Sequence, residues 1–143
     1  MWQRVQTLYF AIAVGLLCAL LFGNVGHIID PEAGSVGVHY LAKLPYAVLI
    51  ILSFAANLVA LFCWGHRSLQ IRLAGGSCVL LLALQIWIAI DYFTMDKSFV
   101  FAWTAVFPLV CLFLDLMAMR GIYADELLVR SASRLRSGKK HKK

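Results

Sequence analysis

Four long runs of apolar residues, separated by short polar segments, dominate the chain. An α-helix rises about 1.5 Å per residue, so about 20 apolar residues cross the roughly 30 Å of hydrocarbon in a bilayer. Each run is close to this length. The pattern therefore predicts four transmembrane helices, at Val5–Phe22, Leu44–Trp64, Leu73–Tyr92 and Phe99–Met119.

Positive charges are sorted to one side of these spans. If the chain crosses the membrane four times, two of its 13 Lys and Arg residues, Lys43 and Lys97, lie on one side, and the other 11 lie with the two termini. Cytoplasmic loops of membrane proteins carry an excess of Lys and Arg. The charge pattern predicts a multi-pass protein whose N- and C-termini are both cytoplasmic.

Composition agrees with this architecture. The chain is 62% hydrophobic and 14% charged, whereas about a quarter of the residues of soluble domains are charged. We predict an all-α membrane protein: an antiparallel four-transmembrane-helix bundle over residues 1–120, with the fourth helix extended into the cytoplasm. Residues 121–143 are predicted to form a cytoplasmic amphipathic helix and a basic tail.

The connections differ in length. The short segments Trp64–Arg72 and Asp91–Ser98 make the helices that they join antiparallel neighbours. The longer segment Gly23–Lys43 is interpreted as a loop. Within it, four residues could form a brief strand or lie on the membrane surface: Val36, Val38, Tyr40 and Leu41.

The first span has an alternative interpretation. A cation followed by a short apolar run is also typical of a cleaved signal peptide. No A-x-A cleavage pattern occurs around Phe22–Gly26. We therefore expect the first span to be retained.

The fourth span carries a proline and has no clear end. Pro108 lies inside the predicted span and should kink it, because proline removes a helix hydrogen bond. Beyond Arg120 no further proline occurs, and Gly138 is the first plausible stop. The sequence predicts a helix that continues to about Ser137, followed by a disordered lysine-rich end.

Polar residues inside the spans are the candidates for chemistry, because an ionisable group in hydrocarbon is costly. Asp115 and Asn57 lie at similar depths from the inner boundary, so they could form a hydrogen bond if spans two and four touch. Asp115 is either a proton or cation site or, as we favour, an acid near the interface that snorkels, pairs with an arginine or is held by Asn57. Ser53 and Gln85 form a second candidate pair, either for substrate binding or, as favoured, for helix association.

A second candidate surface faces the cytoplasm. The tail from Arg130 to Lys143 carries seven cations and no acid, a composition that attracts anionic lipid headgroups. A protein partner or a homo-oligomer is also considered, and nucleic acid is disfavoured. The candidate interaction residues are Arg67, Gln70, Arg72, Asp125, Glu126, Arg130, Arg134 and Arg136.

Several enzyme and cofactor classes lack their required residues. The cysteines occur one per span, at Cys18, Cys63, Cys78 and Cys111. The histidines lie outside the spans, at His27, His39, His66 and His141. This arrangement disfavours disulfide frameworks, quinone-linked thiol oxidases, haem bundles and intramembrane proteases. The first span also lacks the acid of small multidrug exporters. We expect no enzymatic activity and no cofactor.

A metal site in the outer loop is the alternative that these residues leave open. The loop contains four groups that are chemically capable of holding a metal: His27, Asp30, Glu32 and His39. Their spacing matches no zinc pattern. An ordinary solvated loop is therefore favoured, and no metal is predicted.

Three segments together resemble a known family: Met1–Tyr9, His66–Leu73 and Gly121–Arg136. They are similar to the small four-helix membrane proteins of the Bacteroidetes group catalogued as domain of unknown function 4293. The resemblance implies a bacterial inner-membrane location and brings no assigned activity. In the family's pattern an apolar residue usually stands at the position of Asp115, which weakens a catalytic role for it.

The functional hypothesis follows from the cytoplasmic side of this topology. All three matching segments face the cytoplasm. The preferred function is a membrane anchor, scaffold or accessory subunit that presents a basic surface to a partner. The alternative is a small oligomeric transporter or ion-coupled subunit that uses Asp115.

Overall fold

The computed structural model describes residues 2–32, 34–63, 65–94 and 99–140, with side chains described from Val5 to Arg134 within these ranges. The protein is mostly helical. Its four long helices are α1 (Trp2–Phe22), α2 (Leu44–Phe62), α3 (Arg67–Thr94) and α4 (Phe107–Lys140). Three strands form one small sheet: β1 (Asn24–Asp30), β2 (Gly34–His39) and β3 (Phe99–Phe101). Short 3₁₀ turns cover Tyr40–Ala42 and Trp103–Val106.

Each long helix buries one narrow stripe, in which buried residues recur at alternating spacings of three and four. The stripes are Gln6, Phe10, Ala13, Leu17 and Leu20 in α1, and Tyr46, Ile50, Ser53, Asn57 and Ala60 in α2. In α3 and α4 they are Gln70, Ala74, Ser77, Leu81, Leu84 and Ile88, then Pro108, Cys111, Asp115, Ala118 and Ile122. A mean spacing of about 3.5 residues is typical of helices that pack along their length through a single seam.

The remaining faces of the helices are exposed and apolar. Only 28% to 33% of each candidate span is buried inside the protein. Monomeric soluble domains rarely expose a contiguous apolar surface of this extent to water. The exposed faces are therefore suited to an apolar surrounding. The four helices are long and apolar enough to cross a membrane, which indicates a multi-pass membrane protein.

A polar layer separates two apolar clusters inside the protein. Helix α1 packs against α2 and α4, and α3 packs against the same two helices. One cluster includes Ile50 and Leu81 near the sheet, and the other includes Ala60 and Ala118 near the N-terminus of α1. Between them along α2, α3 and α4 lie the buried polar residues Ser53, Asn57, Ser77 and Asp115.

The sheet corrects the expectation of an all-α protein. Strand β1 is central and pairs antiparallel with both β2 and β3. Most of the segment Gly23–Lys43, which was predicted as a loop, therefore consists of the strands β1 and β2. Of the two alternatives left open for this segment, Val36 and Val38 adopt the strand, whereas Tyr40 and Leu41 lie in a 3₁₀ turn. Gly34 begins β2 at a φ of 76°, a conformation that glycine adopts without a Cβ clash.

The predicted start of span four at Phe99 is wrong. Residues Phe99–Phe101 form β3, and α4 begins at Phe107. A short apolar run is compatible with either a strand or a helix, and here its backbone pairs with Gly26–Ile28 of β1.

The predicted kink at Pro108 is also wrong. Pro108 lies in the first turn of α4, where the missing N–H has no helical acceptor to lose. The helix continues past the predicted stop at Gly138 to Lys140, so Lys139 and Lys140 are helical. The end of the predicted disordered segment, residues 141–143, lies outside the described residues.

The turn between α2 and α3 is shorter than predicted. Helix α3 begins at Arg67, six residues before the predicted Leu73, and α2 ends at Phe62. Three of these six residues, Arg67, Gln70 and Arg72, are polar but are good helix formers. Because they are polar, the hydrophobic pattern did not include them in the predicted span. The predicted end of span two, Trp64, lies outside the described residues.

Candidate functional site

The centre of the polar layer is the side-chain amide of Asn57 on α2. Its Nδ2 donates to the Ser77 Oγ of α3 at 2.6 Å and lies 3.2 Å from the Asp115 Oδ2 of α4. It also lies 3.2 Å from the main-chain oxygen of Ser53, one turn earlier. The Ser77 side chain also interacts with the Asp115 carboxyl group. The hydrogen bond expected between Asn57 and Asp115 is therefore present, and Ser77, which sequence reasoning missed, joins it.

Three oxygen atoms of this cluster have no hydrogen-bond partner. They are Asp115 Oδ1, Asn57 Oδ1 and Ser53 Oγ. All three residues are 0% exposed, and buried polar atoms almost always have partners. No ion pair among the described residues includes Asp115. The cluster is therefore incomplete as it stands and is the principal candidate site.

The second predicted polar pair is wrong. Ser53 Oγ and Gln85 Oε1 are both buried and unpartnered, so they do not bond to each other. Ser53 lies on the seam of α2 beside Asn57, whereas Gln85 lies one position beyond Leu84 on the stripe of α3 and is half-buried. The prediction used only the similar depth of the two residues in their spans. The rotation of each helix about its axis does not bring their side chains into a hydrogen bond.

A second polar network, at the ends of α2 and α3 nearest the sheet, was not predicted. The Asp91 Oδ2 accepts a hydrogen bond from the Tyr46 hydroxyl at 2.5 Å and lies 2.7 Å from the Lys43 Nζ. The Lys43 ammonium also lies 5.4 Å from the centre of the Tyr46 ring and 5.8 Å from that of Phe99. The signal in the sequence was the opposite charge of Lys43 and Asp91 at facing helix ends.

The sheet is fixed to this end of the helices by a short chain of hydrogen bonds. The buried Tyr40 hydroxyl lies 3.2 Å from the Thr104 Oγ1, which donates to the main-chain oxygen of Asn24 at 2.6 Å. Burial raises the pKa of Tyr40 above its ordinary value, although its bond to Thr104 opposes the shift. The phenol therefore stays neutral across the physiological pH range.

Four residues of the predicted cytoplasmic surface form two ion pairs with one another. Arg67 at the start of α3 forms a 3.0 Å ion pair with Asp125 of α4, and Arg130 pairs with Glu126 at 2.6 Å. Arg72 and Arg134 are exposed. The side chain of Arg136 lies outside the described residues.

Gln70 does not belong to this surface. It is 5% exposed and its Nε2 donates to the main-chain oxygen of Ala60 at 3.2 Å. The residue occupies the first position of the buried stripe of α3, and its amide satisfies a carbonyl near the end of α2. Its position outside the predicted spans favoured an exposed site, and its burial in the α3 stripe corrects this.

A groove between α1 and α4 lies beside this surface. It has a volume of about 360 Å³ and is lined mainly by apolar atoms, with Arg120 at one side. Gln6 lines it and is 6% exposed, and its Nε2 has no partner. Gly121 of α4 leaves room for the Gln6 side chain here, since an added Cβ would lie 3.2 Å from Gln6 Cγ.

Metal ligands do not converge in the part of the chain that the structure describes. No group of three or more His, Cys, Asp or Glu side chains there could hold a metal ion. His27 and His39 lie on the two strands of the β1–β2 hairpin, and both are exposed.

Together these features indicate a mostly helical, multi-pass membrane protein with a small sheet and a buried polar layer. The chain belongs to the family described as domain of unknown function (DUF4293), whose model matches residues 2–135. No curated protein matches the chain. The resemblance noted in the three segments is thus confirmed over nearly the whole chain.

Proposed function

We propose that this protein is an antiparallel four-helix bundle of the bacterial inner membrane that anchors a partner protein at the cytoplasmic face. Both termini lie in the cytoplasm in this proposal, and the small sheet lies outside. The role is non-catalytic. The observation that carries it is the extension of α4, which continues from Arg120 to Lys140. Its described side chains, up to Arg134, include exposed apolar and cationic ones.

The direction of insertion is supported by charge. In the proposed topology Arg67, Arg72 and Arg120 lie at the cytoplasmic ends of the spans, together with the cations of the tail. Lys43 lies at the other end, where it is paired with Asp91 at 2.7 Å. The cations are therefore concentrated at the proposed cytoplasmic end, in the direction of the positive-inside bias.

The extension of α4 offers an apolar contact that the chain itself leaves open. Leu128 is 65% exposed and Ala124, one turn earlier, is also exposed. The Arg67–Asp125 ion pair holds the adjacent face of this helix against α3. Because an isolated helix with so narrow an apolar stripe is marginal in water, a second surface over Leu128 would stabilise the extension.

A protein fits this surface better than lipid headgroups do. Residues 121–140 extend about 30 Å as an α-helix, and the surface potential of a membrane decays over a Debye length of about 8 Å at physiological salt. The distal cations therefore lie beyond the reach of the headgroups if α4 continues along the membrane normal. An acidic surface on a partner would complement Arg130 and Arg134, which are both exposed.

Two experiments test the proposal. Reporter fusions at Ser68 and at the C-terminus should read cytoplasmic, and a fusion at Gly34 should read external. A cytoplasmic result at Gly34 would contradict the four-span topology.

The second experiment places a photo-crosslinking amino acid at Leu128 in native membranes and measures the mass of the purified complex. We expect one discrete protein adduct that disappears at increased salt and on Arg130→Glu. The matched control is Val129, which is 52% exposed but lies about 100° further round the helix. Equal crosslinking at both positions, or adducts with lipid alone, would rule out the anchor role.

A further inference from the structure

Two of the three unpartnered oxygens in the polar layer belong to the Asn57 amide and the Asp115 carboxyl group. Asn57 and Asp115 are joined by one bond, from Asn57 Nδ2 to Asp115 Oδ2 at 3.2 Å. The second oxygen of each group, Asn57 Oδ1 and Asp115 Oδ1, is buried and unpartnered. An amide oxygen always accepts, and a carboxylate oxygen only accepts while the group is ionised. The two orphaned atoms therefore cannot satisfy each other unless a proton lies between them.

The charge of an ionised Asp115 would also be uncompensated. Its side chain is 0% exposed and it makes no ion pair among the described residues. The titratable groups that face it are two thiols, Cys78 of α3 and Cys111 on its own helix. From α2 it meets the neutral Asn57, and α1 meets this layer through the Ala13 carbonyl, which the Cys111 thiol approaches at 3.8 Å. A buried charge without a partner is strongly unfavourable.

We propose that Asp115 is a proton-binding site and that the bound proton closes a cyclic acid–amide pair between α4 and α2. The proton resides on Asp115 Oδ1 and is donated to Asn57 Oδ1, while Asn57 Nδ2 donates to Asp115 Oδ2. One proton thus removes the charge and satisfies both orphaned oxygens. It is taken from water on binding and returned to water on release, so no other reactant is needed.

This inference goes beyond the anchoring role and does not depend on it. The pair joins α2 to α4, and Ser77 ties α3 to the same atoms. Loss of the proton would leave two buried acceptors without a donor and a charge between two apolar clusters. Packing of the three helices is therefore linked to the occupancy of the site.

Infrared spectroscopy of the full protein in lipid at pH 7 tests the protonation state directly. The difference between the parent and Asp115→Asn should show loss of the carbonyl stretch of a protonated carboxyl group. Asp91→Asn, at the ion-paired outer acid, is the control and should instead remove carboxylate bands. Loss of carboxylate bands in Asp115→Asn would overturn the proposal.

The pairing with Asn57 has its own readout, which also serves if Asp115→Asn fails to fold. In Asn57→Leu the protonated carbonyl band should remain but shift to higher frequency, because the carbonyl loses a hydrogen bond. An unshifted band would mean that no acid–amide pair exists.

A bound cation is the competing occupant, and thermal unfolding separates it from the proton. The parent should unfold at the same temperature in sodium and in choline salts, and should lose stability at alkaline pH more than Asp115→Asn does. A specific stabilisation by sodium that Asp115→Asn abolishes would replace the proton with a cation and overturn the proposal.

Discussion

The network of Asp91, Tyr46 and Lys43 near the sheet gives the sharpest test of packing between α2 and α3. Tyr46 is fully buried and its hydroxyl donates to Asp91 Oδ2 at 2.5 Å. Tyr46→Phe removes only the hydroxyl, so it leaves the ring and the apolar contacts in place. The perturbation therefore isolates one hydrogen bond to a charged acceptor.

The expected cost follows from the charge and burial of the pair. Hydrogen bonds to charged groups contribute about 1.5–3 kcal/mol, and neutral ones about 1 kcal/mol. Asp91 keeps the second bond from Lys43 at 2.7 Å, and those two side chains are 26% and 19% exposed. Tyr46→Phe should therefore lower the free energy of unfolding by about 2 kcal/mol, and Lys43→Met by about 1 kcal/mol because its partly exposed pair is weakened by solvent.

A double-mutant cycle in detergent-solubilised or bicelle-reconstituted protein measures this energy. In an Asp91→Ala background the Tyr46 hydroxyl has lost its acceptor, so Tyr46→Phe should change stability by less than about 0.5 kcal/mol. Tyr92→Phe is the matched control, since Tyr92 is 63% exposed and its change should be near zero. If Tyr46→Phe costs the same with and without Asp91, the hydroxyl is not held by this acid and the reasoning fails.

The burial pattern and the space around two glycines yield three further predictions. Leu81→Ala should cost about 2–5 kcal/mol of unfolding free energy by leaving a cavity, whereas Leu82→Ala, at a position 50% exposed, should cost much less. Similar losses at both positions would refute the assigned seam. Gly26→Ala should break the β1–β3 pairing, because its Cβ would lie 2.5 Å from the Val100 oxygen, and amide exchange there should rise. Gly15→Ala meets nothing within 4 Å and should raise the melting temperature, since alanine favours a helix by about 1 kcal/mol.

The amino-acid sequence by itself determined the number of long helices and much of their extent. Helix length against membrane thickness is a local property, so the apolar runs predicted α1 and α2 closely. Equal depth in two spans was also enough to propose the contact of Asn57 with Asp115. These inferences need only the rise per residue and the composition of each segment.

Tertiary structure alone decided which polar groups meet and which apolar run becomes a strand. Phe99–Phe101 pairs with Gly26–Ile28, more than 70 positions earlier in the sequence, and no local pattern encodes that partner. Ser77 reaches Asn57 while Gln85 misses Ser53, because the choice depends on how each helix is rotated about its axis. A rotation by one residue, about 100°, moves a side chain from the seam to the lipid-facing side. Hydropathy cannot resolve that angle when both sides of the helix are apolar.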